Sequence, residues 1–417
     1  MNVLIKKAKV LCPSSKHHQK TVDILIKKGV IESIRKNIQA EGRIKTIEGD
    51  NLYCSLGWVD IGSYSGEPGL EHRETLDSLT AAAAAGGYTH IAPMPNTEPC
   101  LDHKAGVHFL LSHPANQTTR ILPIGAVSKG TKGEEITEML DLADAGVYAF
   151  SDGLKPLQKS GLLLRALQYL KRIDGVLFHH PEDVHISADG QIHEGSVSTQ
   201  LGMKGIPSMG EEIAIQRDIE LNKYANGQIV FHAISTSRAC KMIRKAQKNG
   251  ERVGATVSFV NLIENVDRLL DFNSNFKVKP PIREEEDRKA LVKGIKNGSI
   301  QAIVSNHKAL EEEKKKLEFS YASFGMTSLE VVFAALCDQL LDKELSLDEI
   351  VYCLAEGPRT LLKMDLPKIE VGSKADLSVF DPSQEWTYES TQSLSKNTPY
   401  LGKTFKGKVV QTIVPAT

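Results

Sequence analysis

The chain has 417 residues, a length that suits either one α/β barrel with attached pieces or about two to three average domains, and it excludes a small stapled scaffold. With 51 basic against 52 acidic side chains and a sequence pI near 6.9, no global field draws it to nucleic acid or to an anionic membrane, and a small, neutral ligand or another protein is the expected partner. Six cysteines (Cys12, Cys54, Cys100, Cys240, Cys337 and Cys353) lie far apart with no Cys-x-x-Cys pair, so neither a disulfide framework nor a structural zinc knot is indicated and they are expected to be reduced core residues.

The opening stretch MNVLIKKAKVLCPSSKHHQK alternates apolar and polar residues and never supplies the apolar run of a signal peptide or membrane helix. A cytoplasmic address without membrane contact is therefore expected. Alternation continues through Val22, Ile24, Ile26, Ile31 and Ile34 around a turn at Gly29, predicting a small β unit over residues 1–56. From there short apolar runs alternate with longer helical patterns: IAPM at 91–94, ILPIGA at 121–126, VYAF at 147–150, VLFHH at 176–180, QIVFH at 228–232 and AIVSNH at 302–307. Alternating strands and helices predict a parallel sheet, and the lack of a glycine-rich dinucleotide fingerprint favours a closed barrel over 57–365. The run EEEKKK at 311–316 is expected to be a solvated loop or helix face. Residues 366–417 return to strand patterns (372–382 and 407–414), so both termini are expected to share one small β domain.

Barrel enzymes build their sites at the C-terminal ends of the strands. Four of the predicted strands end in polar residues: Ser151-Asp152-Gly153, His179-His180, His232 and Ser305-Asn306-His307. Imidazoles and a carboxylate at the same end of successive strands converge on one volume, a donor set that suits zinc.

The segments around these residues resemble dihydroorotase, a family of the amidohydrolase superfamily. The resembling stretches are GEPGLEHRETLDSLTAAAAAGGYTHIAPMPNTEP (66–99), AFSDG (149–153), HEGSVSTQLGMKGIP (193–207), FHAISTSRA (231–239), NFKVKPPIR (275–283) and SKNTPYLGK (395–403). The resemblance implies a (β/α)₈ TIM barrel of the amidohydrolase type over 57–365, with a small β domain built from 1–56 and 366–417. It further implies the reversible closure of N-carbamoyl-L-aspartate to dihydroorotate in pyrimidine biosynthesis. In that reaction two zinc ions activate a bridging hydroxide and an aspartate is the general base.

Against that pattern the chain departs in five places. Gly62 and Tyr64 stand where the His-x-His metal pair belongs, and Gly66 replaces the arginine that would fork onto the substrate carboxylate. Lys279 replaces a family asparagine, and Asn306 occupies the general-base position, where an amide cannot accept the proton. The segment Ser258-Phe259-Val260-Asn261 also lacks an expected histidine pair. What matches is Asp152, His180 and His232 as residual metal ligands, with Asn96 as a substrate contact; Lys279 and His307 are the further candidate contacts.

The expectation is a dihydroorotase-like protein of impaired or absent activity, holding one zinc at most or no metal. Three alternatives remain open. One is an active cyclic amidohydrolase with a single zinc at Asp152, His180 and His232. Another is a non-catalytic scaffold for aspartate transcarbamoylase, and the third is a binder of small anions through Asn96, Lys279 and His307. A homodimer is expected by analogy with the family.

Overall fold

The computed structural model describes residues 2–39 and 42–415. The two chain ends meet in one seven-stranded sheet. Its order runs Thr404–Ile413, Leu377–Thr387, Tyr53–Leu56, Val3–Leu11, Thr21–Lys27, Val30–Arg35, with Lys45–Ile47 paired beside Val3–Leu11. The alternation that predicts these strands sets their register: Val3 pairs with Ile26 and Ile5 with Ile24, all four buried.

Gly57 separates the last N-terminal strand of that sheet from the first barrel strand, Trp58–Tyr64. No side chain fits there, since a Cβ at Gly57 would collide with Thr89 and Asp376. The barrel continues through Tyr88–Met94, a strand split around Pro123 into Arg120–Ile121 and Ile124–Gly125, then Ala149–Phe150, Leu177–His179, Ile229–Phe231, Val253–Ser258 and Ala302–Val304. Every pairing between neighbours is parallel. Proline has no amide hydrogen to donate, and the split falls there: the first half pairs backward and the second half forward. Closure joins first strand to last, with the Tyr64 amide donating to the His307 carbonyl at 2.8 Å. Beneath it, the buried Asp60 carboxylate accepts from the Ser305 amide at 2.7 Å and the Ser305 hydroxyl at 2.8 Å.

The barrel is filled by one set of alternate side chains, among them Val59, Ile61, Phe178, Val230 and Val304. The opposite set faces the surrounding helices and joins a larger core that extends into the terminal sheet. A typical covering helix, Ser160–Arg172, buries Leu162, Leu163, Ala166, Leu167 and Leu170 along one stripe. Among the described residues, no helix is long and apolar enough to cross a membrane.

The charged run at 311–316 meets the expectation of a solvated helix face at Glu312, Glu313, Lys314 and Lys316, which are exposed, and departs from it at Lys315. Glu312–Lys315 forms a single helical turn, and Lys315 is buried, donating to the carbonyls of Ser274, Ser323 and Gly325. Glu311 is held by Arg73, with Nε to Oε2 at 2.6 Å and Nη2 to Oε1 at 2.9 Å. Carbonyl dipoles replace only part of the water around the lysine, and burial, then the charges of Lys277 and Lys308, bring its pKa down to about 7.

Candidate active site at the barrel mouth

Asp152, two residues beyond the strand Ala149–Phe150, is almost fully buried. Its Oδ1 accepts from the amides of Val127 at 2.9 Å and Ser128 at 3.0 Å, and its Oδ2 accepts from the Ser128 hydroxyl. Burial raises this carboxyl above its ordinary range even against those three donors. His180 follows the strand Leu177–His179, its Nδ1 lying 3.4 Å from the His232 carbonyl. Its Nε2 lies 3.9 Å from Glu182 Oε2, and the Lys279 ammonium lies 2.6 Å from the same oxygen. Burial lowers the His180 pKa to about 4, with Lys279 contributing in the same direction. His232, after Ile229–Phe231, shares a hydrogen bond between Nδ1 and the Thr256 hydroxyl at 3.2 Å, and among the described residues its Nε2 has no partner. Burial first, and His180 second, bring its pKa down to about 3. Both imidazoles are neutral at pH 7.

These three residues share the mouth but are not assembled around a common point. Zinc requires lone pairs from three or more side chains converging at about 2.0–2.3 Å. Both Asp152 oxygens are spent on the loop at 127–128, and a lysine ammonium stands beside the carboxylate nearest His180. Among the described residues, no group of three histidine, cysteine, aspartate or glutamate side chains is placed to hold a metal ion. The donor set read from the sequence, Asp152 with His180 and His232, does not fit zinc in this arrangement.

The two replaced ligand positions show how the mouth has been repacked. Gly62 has φ +101°, a left-handed conformation that side chains rarely adopt. A Cβ there would come within 2.6 Å of His232 Nε2 and nearer still to Cε1, so the His232 ring fills the volume of the missing side chain. Tyr64 is buried, and its hydroxyl accepts from the Leu154 amide at 3.0 Å. It thereby links the first barrel strand to the loop that follows Asp152.

Asn96 donates through Nδ2 to the Asp152 carbonyl at 3.1 Å and to the Thr131 hydroxyl at 3.3 Å, leaving Oδ1 unpaired. Asn306, at φ 51°, donates to the Lys279 carbonyl at 2.9 Å and likewise leaves its Oδ1 unpaired. It holds backbone at the position where a base is expected. His307 points elsewhere than expected of a ligand contact. Its Nδ1 accepts from the amides of Ser328 and Leu329 at 3.0 and 3.3 Å, so Nε2 carries the hydrogen and donates to Glu74 at 3.1 Å. Both nitrogens are committed to the protein. His179 is likewise structural, with Nδ1 bonded to Asp218 at 2.7 Å and Nε2 accepting from the Leu157 amide at 2.9 Å.

A cavity of about 430 Å³ opens at the mouth, lined by Tyr64, Asn96, Leu154, Leu310, Ser323, Phe324 and five cationic side chains. Four of those cations, Arg73, Lys155, Lys308 and Lys314, were not singled out as site residues from the sequence, nor was Glu74. Lys155 and Lys308 lie directly downstream of the strand-end residues Asp152 and His307, so extending each strand end by a few residues would have found them.

Three comparisons bear on the chain. A family model described as Dihydro-orotase-like matches residues 54–239. The chain is 34% identical over 420 residues to a protein of Syntrophus aciditrophicus (strain SB) named Dihydroorotase, covering 99% of this chain and 98% of that one. It is 37% identical over 398 residues to one of the same name from Thermoanaerobacter sp. (strain X514), covering 94% and 92%. Among solved structures it resembles the L-hydantoinase (dihydropyrimidinase) from Arthrobacter aurescens, with TM-score 0.86 at 24% identity, covering 100% of this chain and 95% of that one. A dihydropyrimidinase from Brevibacillus agri NCHU1002 gives TM-score 0.81 at 20% identity, with the same coverage. Those two likenesses speak to the amidohydrolase barrel alone.

Proposed function

The chain belongs to the dihydroorotase-like family, and from that premise we propose that it is a member whose barrel mouth no longer performs cyclic-amide chemistry. Asp152 carries the reading. It matches a family metal ligand, yet here its carboxylate serves as the anchor of the loop at 127–128. The family reaction also needs a proton acceptor, and at that position Asn306 offers an amide bound to the Lys279 carbonyl. No charged fork waits for a substrate carboxylate at Gly66, where a Cβ would strike the backbone of Leu70 and Glu74. Losing one preorganised contact of this kind costs about 10²–10³ in rate, and here several are lost together.

Zinc supplies an activated hydroxide where it is bound in such enzymes, and the residues of this mouth do not fit it. What they do instead is hold one another. Asp152 fixes the loop at 127–128, Tyr64 holds the Leu154 amide, and Lys279 neutralises Glu182. Steady-state assays in both directions, with dihydroorotate and with N-carbamoyl-L-aspartate and zinc supplied, are expected to show no turnover above the uncatalysed rate. Turnover that vanishes in His180→Ala or His232→Ala would instead establish the single-zinc hydrolase.

A role by association with aspartate transcarbamoylase, in a homodimeric state, rests on the family resemblance. Co-elution of the two proteins at micromolar concentration is the expected result, and separate elution would remove this role.

A further inference from the structure

We propose that the barrel mouth binds a phosphate monoester whose remainder is an apolar or ring-shaped body. The inference rests on the metal-free reading of the mouth, because it places an anion among ammonium groups beside the altered ligand positions. Five cations line the cavity, and carboxylates answer two of them. Lys279 is paired with Glu182 and Arg73 with Glu311. Among the described residues, Lys155 donates only to the Thr131 hydroxyl at 3.0 Å. The Lys308 ammonium lies 5.6 Å from the Tyr64 ring centroid and, among the described residues, has no carboxylate or hydrogen-bond partner. Lys314 is exposed and similarly lacks a carboxylate. Three positive charges in one part-buried cavity are therefore left uncompensated, an arrangement that repels itself and concentrates a counter-anion.

The chemistry of those charges selects the anion. The one arginine, whose planar fork would pair bidentately with a carboxylate or a phosphate, is already engaged by Glu311. The free groups are all lysines, compact point charges that can surround a tetrahedral phosphate of about −1.5 to −2 at neutral pH. The Tyr64 ring, Leu154, Leu310 and Phe324 line the same cavity and offer an apolar surface to the ester's body. The volume lies within the range of about 300–1,000 Å³ usual for small-ligand sites.

Lys308 supplies an independent readout. Burial, and then the charges of Arg73, Lys279 and Lys155, bring its pKa down to about 8. The Tyr64 ring is the other group it faces. A bound dianion favours the protonated form and reverses that shift, so binding at pH 8 takes up as much as about half a proton per chain. Affinity declines as pH rises above about 8, where the free protein loses the Lys308 charge.

The test is calorimetric titration of the full chain with phenyl phosphate at low salt, with metal content measured on the same sample. One-to-one binding is expected, with an enthalpy at pH 8 that varies with the ionisation enthalpy of the buffer. Lys308→Met should weaken it about tenfold or more, and succinate should bind about tenfold more weakly than phenyl phosphate. Because Lys314 is exposed, Lys314→Gln keeps the test informative if the Lys308 variant does not fold; a several-fold loss is expected there. No saturable binding, equal binding of succinate, or variants that bind as the parent would overturn the proposal. A metal-free sample that fails to bind defeats this inference alone, whereas a sample that arrives loaded with zinc defeats the reading beneath it.

Discussion

Gly62 shows at the scale of one residue why restoring a lost ligand is not a matter of changing its letter. Its backbone is left-handed and its side-chain volume is taken by the His232 ring. The double variant Gly62→His, Tyr64→His is therefore expected to lose about 2–4 kcal/mol of stability in urea denaturation. It should still fall short of two zinc ions per chain. Two ions at unchanged stability would contradict the repacking. Asp152→Asn separates structure from ligation in another way. An amide cannot accept from all three donors, so the metal-free protein should lose about 1–3 kcal/mol. A ligand role would instead show its loss only when metal is present. At this scale the sequence exposed the substitutions themselves, because Gly62, Tyr64 and Asn306 sit at motif positions. It did not reveal that Asp152 turns onto Val127 and Ser128, or that His307 is bound at both nitrogens, since those partners lie about 20 or more residues away.

At the scale of elements, six barrel strands were legible as apolar runs, and the structure has each of them. Val253–Ser258 escaped as a run because Gly254, Ala255 and Thr256 dilute its hydrophobicity, although it is buried on both sides. Within the largely exposed run at 311–316 only the burial of Lys315 was not legible, since composition cannot show a lysine whose partners are backbone carbonyls. Lys315 fastens the segment to Ser274 and to residues 323–325. Lys315→Met keeps most of the volume but leaves those carbonyls unpaired. Hydrogen exchange across 308–325 should accelerate by about tenfold or more, equivalent to roughly 1.4 kcal/mol of local opening. Unchanged exchange would mean that the cage contributes nothing to holding the segment.

The whole molecule is a barrel joined to a sheet that needs both chain ends, and the joint is a buried ion pair. Arg359, in the last helix before the C-terminal strands, donates to Asp376 at 2.7 Å, to the Gly57 carbonyl at 2.5 Å and to the Ala355 carbonyl at 2.8 Å. Asp376 also accepts from the Thr89 hydroxyl at 2.6 Å. Arg359→Leu strands that carboxylate and should cost about 3–5 kcal/mol in equilibrium unfolding. Under about 1 kcal/mol would show that the two parts are held together by apolar packing alone. The meeting of the termini was legible from strand patterns at both ends; this joint was not, because Arg359 and Asp376 belong to no motif. The central claim, that a family barrel has exchanged its metal site for side chains bonded to one another beside a cationic cavity, is tested most directly by metal content. Mass spectrometry on protein purified without chelator and supplied with zinc should find well under one ion per chain. One ion, lost on changing His180 or His232, would contradict the account in favour of a single-zinc enzyme, and two would mean that the ligands are held by residues other than those identified.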